Sequence, residues 1–486
     1  MSNLIGIGQS GLSASKKQMS TTAHNIANVN TEGFSRKRAD LQTNRPIGRS
    51  NTVMGTGVDV SSIKRIHDNL IEKKLINAKT EHSYHEERSF HLNQMENVLN
   101  ESSEQGLTKV MGDFFNAFRE LSTQPENETM KNLVRDKALV VTHDFNRIAQ
   151  SIADVENNID NRAKLYVEDI NGLLENIKNL NIKITELEVS NGETGDLRDQ
   201  RDLSVKKLSE YFEVETSVNE RNQYSVNVIG VGSLVVGGLV QKIEASIQRS
   251  DINPEGSDIK IFFKDKSSGD LANLFQRGKL KALIETKAQE INKTQNELDK
   301  LAFNLAESTN AIHRKGFINT DLPLDSQGRL PASLGNLKIT DVDFFKKPLK
   351  LDGAARQLSL SNDITNNALS IAVAAQANAP GDNRIAIAIS KLQNEKLFNN
   401  NTASLEEEYV KSIASIGLAT SKSNINEEQS KGLLAQVETL RERVSGVSLD
   451  EEATQMMQYQ HAYQASARVI KASEDMFNSL LQMIRP

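Results

Sequence analysis

Residues 1–30 read MSNLIGIGQSGLSASKKQMSTTAHNIANVN, and inside them Gly6-Ile7-Gly8-Gln9-Ser10-Gly11 spells G-x-G-x-x-G. Its reading decides the fold. As a dinucleotide fingerprint it needs a strand before it and a helix after it, so that backbone N–H groups hold a pyrophosphate. Only Met1 to Ile5 precede the first glycine, too few for a strand in a sheet core. Glu32 lies near the offset of about 20 residues expected of a ribose-binding acid, yet it sits in the turn-like run Asn30-Thr31-Glu32-Gly33. The strand–turn–helix context is absent. Leu4, Gly8, Gly11, Leu12, Ser15, Met19, Ala23 and Ile26 instead recur mostly every third or fourth residue, which predicts one helix to about Asn28. Its small side chains suit close helix packing, the role expected of Gly6, Gly8 and Gly11. Asn28-Val29-Asn30-Thr31-Glu32-Gly33 then supplies the residues that stop it.

The other end is equally regular. Ser448-Leu449-Asp450-Glu451 fits a capping box, and Asp450, Glu451 and Glu452 suit the positive end of a helix dipole. The seam that follows runs Leu449, Ala453, Met456, Gln460, Tyr463, Ala467, Ile470, Glu474, Phe477, Leu481, Ile484, with Gln460 and Glu474 as polar interruptions that set register. Two such terminal helices form an antiparallel hairpin with too little apolar surface to be stable alone. That predicts a subunit of a multi-copy assembly.

Between the ends the patterning is mainly helical. Ile63 to Leu99 reads as a helix with the seam Ile71, Leu75, Ala78, His82, His85, Ser89, Leu92 and Leu99; Leu107 to Leu121 follows, ending at Gln124-Pro125. Thr129 to Val189 keeps a three-four spacing with no internal proline, which predicts a rod-like bundle. Phe212 to Val218, Tyr224 to Ile229, Leu234 to Val240 and Ile259 to Phe263 are short and β-branched, with hairpin turns at Gly230-Val231-Gly232 and Gly237-Gly238. Helix returns from Gly278 to His313, mixed sequence fills Gly316 to Asn383, and a polar helix runs from Ser404 to Val444. The expected fold is mainly α with small β subdomains, elongated, and discontinuous because both chain ends contribute to each inner domain. The expected units are 1–36 with 446–486, a terminal helical domain; 60–210 with 271–318 and 385–445, a helical bundle; 211–270, a small β subdomain; and 319–384, a mixed outer subdomain.

Composition agrees and excludes several functions. Of 486 residues 37% are apolar and 5% aromatic, with no Trp, which suits thin helical seams better than one large core. A net charge of −6 argues against a general nucleic-acid or anionic-membrane binder, and Ser35-Arg36-Lys37-Arg38 reads as a solvated turn. There is no cysteine, hence no disulfide, thiolate metal site or Cys nucleophile. No apolar run approaches the ~18 residues of a membrane span. The N-terminus lacks the layout of a cleaved signal peptide, so export by the general secretory route is not expected.

Chemistry is sparse. His82-Ser83-Tyr84-His85-Glu86-Glu87, with His91 beyond, departs from H-E-x-x-H spacing and reads as seam histidines, with a metal-dependent enzyme as the competing reading. Glu406-Glu407-Glu408 reads as a solvated helix start. No G-x-S-x-G or P-loop occurs. No cofactor, metal or catalytic residue is expected.

Asn25-Ile26-Ala27-Asn28-Val29-Asn30-Thr31-Glu32-Gly33-Phe34 resembles the N-terminal signature of bacterial flagellar rod, hook and hook-associated proteins, except that Glu32 stands where that pattern usually has proline. Tyr459-Gln460-His461-Ala462-Tyr463-Gln464-Ala465-Ser466-Ala467-Arg468-Val469-Ile470 is similar to the family's C-terminal signature. Gly55-Thr56-Gly57-Val58-Asp59-Val60, Gly195-Asp196-Leu197-Arg198-Asp199-Gln200-Arg201-Asp202 and Asn310-Ala311-Ile312-His313-Arg314-Lys315-Gly316-Phe317 narrow the resemblance to hook-associated proteins of the hook–filament junction. A hook or rod subunit is the alternative. The resemblance implies a ring-like self-assembly at the distal hook end, contacting hook protein and a second junction protein. It also implies type III export without a cleaved signal, a cytoplasmic chaperone on the last helix, and an extracellular place in the flagellum, with no membrane insertion. Assembly contacts are expected at Leu12, Met19, Ala23, Asn25, Ile26, Asn28, Asn30, Thr31, Gly33 and Phe34. Assembly and chaperone contacts are expected at Leu449, Ala453, Met456, Tyr459, Gln460, Tyr463, Ala467, Ile470, Phe477, Leu481 and Ile484. Both termini are expected to order only on assembly.

Overall fold

The structure is a computed structural model that describes residues 2–49, 52–99, 106–190, 192–219, 223–249, 256–265, 269–318, 340–377, 379, 381–398 and 401–484. Residues 319–339, within the outer segment of the sequence-based partition, lie outside the described residues. The chain begins with α1 (Ser2–Ala27), a β-ribbon of β1 (Lys37–Thr43), β2 (Ile47–Arg49), β3 (Thr52–Met54) and β4 (Val58–Arg65), then α2 (Asn69–Leu99), α3 (Leu107–Thr123), α4 (Glu128–Val189) and α5 (Gly195–Leu208). Next come β5 (Val214–Val218), β6 (Tyr224–Val228), β7 (Gly232–Val236), β8 (Leu239–Val240), β9 (Ile243–Arg249) and β10 (Ser257–Phe263). The remainder is α6 (Lys279–Thr286), α7 (Asn292–His313), β11 (Phe317–Ile318), α8 (Ala354–Gln357), α9 (Asn362–Asn366), β12 (Ala372–Ala374), α10 (Arg384–Lys391), α11 (Leu405–Ser445) and α12 (Leu449–Ile484). The fold is mainly α with small antiparallel sheets.

Length sets the shape. α4 has 62 residues, hence a rod of about 90 Å at the usual rise. Asn127 caps it, its side chain accepting from the Thr129 N–H at 2.9 Å. α2 and α11 run antiparallel: Leu75 and Ala78 cluster with Leu434 and Val437 at one end, while Thr420 Oγ1 meets the Leu92 carbonyl at the other, 3.4 Å away. Both chain halves therefore build one body. Glu406-Glu407-Glu408 is more than a solvated start: Ser404 and Glu407 close a reciprocal capping box on α11.

Within the largely aliphatic main core sits an aromatic cluster. Phe114 meets Phe115, Phe118, Phe344 and Phe345 with ring centroids 5.2, 5.3, 5.8 and 5.9 Å apart. The Asn310–Phe317 motif anchors that cluster. The Asn310 side-chain oxygen accepts from the Phe344 and Phe345 N–H groups, both at 2.9 Å, and its amide donates to the Phe345 carbonyl at 2.9 Å. Fully buried His313 lies between the Val342 carbonyl, 2.7 Å from Nδ1, and the Ala372 N–H, which Nε2 accepts at 2.9 Å. One tautomer satisfies both bonds, and the ring is neutral: burial pushes its pKa down to about 4.

The β-rich part exceeds the expectation. β5-β6-β7-β8 form a four-stranded antiparallel sheet, and β9 pairs with β10, a hairpin whose first strand the periodicity did not mark. The β1–β4 ribbon is absent from the sequence-based partition, and Ile63 to Arg65 end a strand instead of opening a helix.

The His313 pKa carries a stability consequence. The folded value lies below the ordinary 6.5, so the unfolded chain binds more protons between them. Its contribution is complete above about pH 6.5 and is lost as pH falls towards about 4, a total of about 3 kcal/mol. Urea unfolding across that range should show this slope in the natural chain and a shallower one in His313→Gln. Equal slopes would contradict the assignment.

Candidate assembly interface

α1 and α12 lie antiparallel, and glycines set their approach. A Cβ on Gly8 would come within 2.7 Å of Ile470 Cγ1 and 3.3 Å of the Ser466 carbonyl oxygen; one on Gly11 would come within 2.8 Å of Ser466 Oγ. Gly6 differs from expectation: nothing lies within 4 Å of a Cβ there. G-x-G-x-x-G is thus an all-helical segment in which two glycines admit the partner helix.

The helix pair has almost no core. Of the described α12 side chains only Glu452 and Ser473, both polar, are buried; in α1 the one buried hydrophobic is Ala14. Along α12, Glu452, Met456, Tyr459, Tyr463, Ser466, Ile470 and Ser473 are buried or half-buried in alternating steps of four and three. This line shares Met456, Tyr463 and Ile470 with the expected seam and departs elsewhere. Leu449, Ala453, Gln460, Glu474, Phe477 and Leu481 are exposed, so Gln460 and Glu474 do not set the intramolecular register, while Ala467 is half-buried and the Ile484 side chain lies outside the described residues. Met457, Val469, Met476, Leu480 and Met483 add to the exposed apolar face.

Register is set at the base of the pair, by a polar joint. Buried Asn25 donates to Glu452 Oε2 at 3.0 Å and to the Lys37 carbonyl at 2.9 Å, and its oxygen accepts from the Lys37 N–H at 2.9 Å. Arg36 pairs with Glu452 at 2.6 Å and Glu451 at 2.8 Å. Glu451 is thereby drawn from its reciprocal capping bond; only its N–H faces Ser448 Oγ, at 3.5 Å. Lys37 reaches Asp196 at 2.7 Å and Glu193 at 3.0 Å. Burial alone would lower the Lys37 pKa, but hydrogen bonds to these carboxylates outweigh it and hold it above the ordinary lysine value. Ser35-Arg36-Lys37-Arg38 is therefore no solvated turn: Ser35 and Lys37 are buried, the Ser35 N–H donating to Asp199 at 3.1 Å.

The remaining N-terminal signature residues build the bend into this joint. Asn28 donates back to the His24 carbonyl at 2.9 Å, closing α1, and accepts from Thr31 Oγ1 at 3.1 Å. Gly33 takes φ +80°, beyond ordinary L-residue geometry, with Leu203 3.1 Å from where a Cβ would stand. Phe34 is buried and meets His24 edge-on at 5.6 Å, while Arg441 ties the Gly33 and Phe34 carbonyls at 3.1 and 3.2 Å. Leu12, Met19 and Ile26 are half-buried; Ala23, Asn30 and Thr31 are exposed. From the Gly195–Asp202 motif, Asp199 and Asp202 clamp Arg65 at 2.9 and 2.6 Å. Gly57 brings the ribbon onto α1, where Ser10 Oγ accepts the Val58 N–H at 3.2 Å. Residues quoted as separate motifs thus converge on one joint. Periodicity could not find Arg36, Lys37, Glu452 or Arg441, because their partners lie far away in sequence.

The histidines of α2 pack between helices. His91 meets Glu87 at 3.0 Å, and Glu87 also takes Tyr166 and Arg162 of α4; His82 lies 3.4 Å from Ser430 of α11. Among the described residues no group of three or more such side chains is placed to hold a metal ion. No described helix is long and apolar enough to cross a membrane.

If the glycines admit α12, Gly8→Val should loosen the helix pair by about 1–3 kcal/mol, while Gly6→Ala should be neutral or gain up to about 1 kcal/mol of helix stability. Amide exchange of α1 and α12 in assembled flagella checks both; equal effects would contradict the packing.

Comparison with known proteins agrees with this geometry at both ends and in the middle. Residues 92–327 match the family described as flagellar hook-associated protein FlgK helical domain. Residues 5–34 match flagella basal body rod protein, and 442–483 match flagellar basal body rod FlgEFG protein C-terminal. Flagellar hook-associated protein 1 of Bacillus subtilis is 26% identical, over 97% of this chain and 96% of that protein. Its counterpart in Escherichia coli is 25% identical over 99% and 100%. The solved flagellar hook junction protein FlgK from Burkholderia pseudomallei shares the fold, with a TM-score of 0.63 and 17% identity over 77% of this chain and all of that one. At both ends, in the middle and over nearly its whole length, the chain is similar to the flagellar hook-associated proteins of the FlgK family.

Proposed function

We propose that this chain is a structural adaptor that assembles at the distal end of the hook and joins hook to filament. The observation that carries the reading is the α1–α12 pair, held at its base by a polar joint and with no buried apolar side chain among the described residues of α12. A pair of this kind gains stability when its exposed apolar residues pack between neighbouring subunits. In this reading Leu12, Met19 and Ile26 on α1 and Leu449, Ala453, Gln460, Phe477 and Leu481 on α12 contact identical subunits, hook protein and a second junction protein. Asn25, Asn28, Gly33 and Phe34 orient the pair rather than touch a partner. Before export a cytoplasmic chaperone covers the face of α12, and the chain leaves through the flagellar export apparatus without a cleaved signal. The domain units proposed are 1–36 with 446–486, the helical bundle, the 211–270 β subdomain and the outer segment, with the β1–β4 ribbon as the coupling piece.

Removing Ser448 to Pro486 tests this. The expected outcome is a soluble remainder that keeps the α2–α11 body, with cells that build hooks and no filaments. Normal filaments would contradict the proposal. Immunolabelling along the hook shaft rather than at its tip would favour a hook or rod subunit instead.

A further inference from the structure

Beside the joint, a cleft of about 430 Å³ opens between α2, α5 and the β5–β6 edge. Arg65, His67, Lys73, Arg198 and Arg201 line it. Three of these cations already have carboxylates: Arg65 has Asp199 and Asp202, Lys73 has Glu215 at 3.2 Å, and Arg198 has Glu188. Glu72, also on the wall, is taken by Arg441 at 3.1 Å. Arg201 has no carboxylate within ion-pair distance among the described residues. It is only 8% exposed, its guanidinium lies 3.6 Å over the Tyr224 ring, and its one described hydrogen bond goes to Asn181 at 3.1 Å. Arg201 Nε, Arg198 Nε and His67 Nδ1 are all buried without a hydrogen-bond partner.

A buried guanidinium without an anion is costly, and its planar fork matches an oxyanion. We infer that this cleft binds a carboxylate, with Arg201 as its principal cation and Arg198 beside it. A single uncompensated charge suits a monoanion better than a phosphate dianion. Ile76, Val205 and Val214 in the wall suit the methylenes of an acidic side chain or a short fatty acid. Burial lowers the Arg201 pKa, and the charges of Arg198 and Arg65 add to that against Tyr224 and Asp202.

Scanning calorimetry of the full-length chain tests the site with sodium butyrate against sodium chloride at equal ionic strength. About 100 mM butyrate should raise the unfolding temperature by about 2 °C over chloride. Arg201→Gln should abolish that difference. Should that variant fail to fold, Arg198→Gln, at a half-exposed position, should shrink it. No butyrate-specific shift in the natural chain, or an undiminished shift in the variants that fold, would overturn the site. A photo-crosslinker at Ser217 in assembled flagella then identifies the source. A link to an acidic segment of another subunit assigns a neighbour's side chain, and a butyrate shift without a link assigns a free carboxylate. The crosslinking arm rests on the junction reading; normal filament joining in cells with no butyrate effect on the protein would sink the site and leave that reading standing.

Discussion

The buried contact between Asn25 and Glu452 joins residues 427 positions apart, and the placement of both chain ends follows from it. Asn25 uses its oxygen and both donor positions there, fixing the ribbon backbone at Lys37 and the first turn of α12 together. Arg36 offsets the Glu452 charge, which otherwise would be a buried anion without compensation. Removing one member of such a group costs about 3–5 kcal/mol, against about 0–1 kcal/mol for an exposed pair. Direction thus comes from the polar joint, whereas adhesion along the helices is weak.

Two kinds of stability coexist in one chain. The body is held by apolar burial, with the Phe114 cluster and the buried face of α4 in one continuous core. The terminal pair has close glycine contacts and few buried side chains, and in the proposed reading neighbouring subunits supply the rest of its stability. That division suits the proposed junction role: a body packed within the chain, and ends left to pack among neighbours. The same economy explains a lean apolar fraction spread along long helices.

Much of this was legible in the sequence, for physical reasons that also mark the limit. α4 and α11 were readable because a helix buried on one side leaves a three-four trace, as in Ile148, Ile152, Ile159, Ile170 and Ile177. The ribbon was not: β4 alternates between half-buried and exposed positions with no fully buried residue, so Val58 to Arg65 carries little apolar signal. The joint was invisible to periodicity, since polar contacts between Lys37 and Asp196 or Arg441 and Gly33 leave no local pattern. Turn composition marked Asn28 and Gly33 as helix stops, only the resemblance pointed to Asn25, and the structure supplies their contacts. The expected α12 seam was offset from the real one because Glu452 and Ser473 occupy it, and hydropathy does not rank them as seam residues.

The central claim is that the two terminal helices share too little apolar burial to persist without neighbours. Amide hydrogen exchange on the free chain in dilute solution, compared with the same chain in assembled flagella, tests it most directly. The account predicts fast exchange before Phe34 and after Val447 in the free chain, slow exchange from Leu133 to Leu187, and protection of the ends only after assembly. Ends protected in the free chain as strongly as the α4 spine would contradict it.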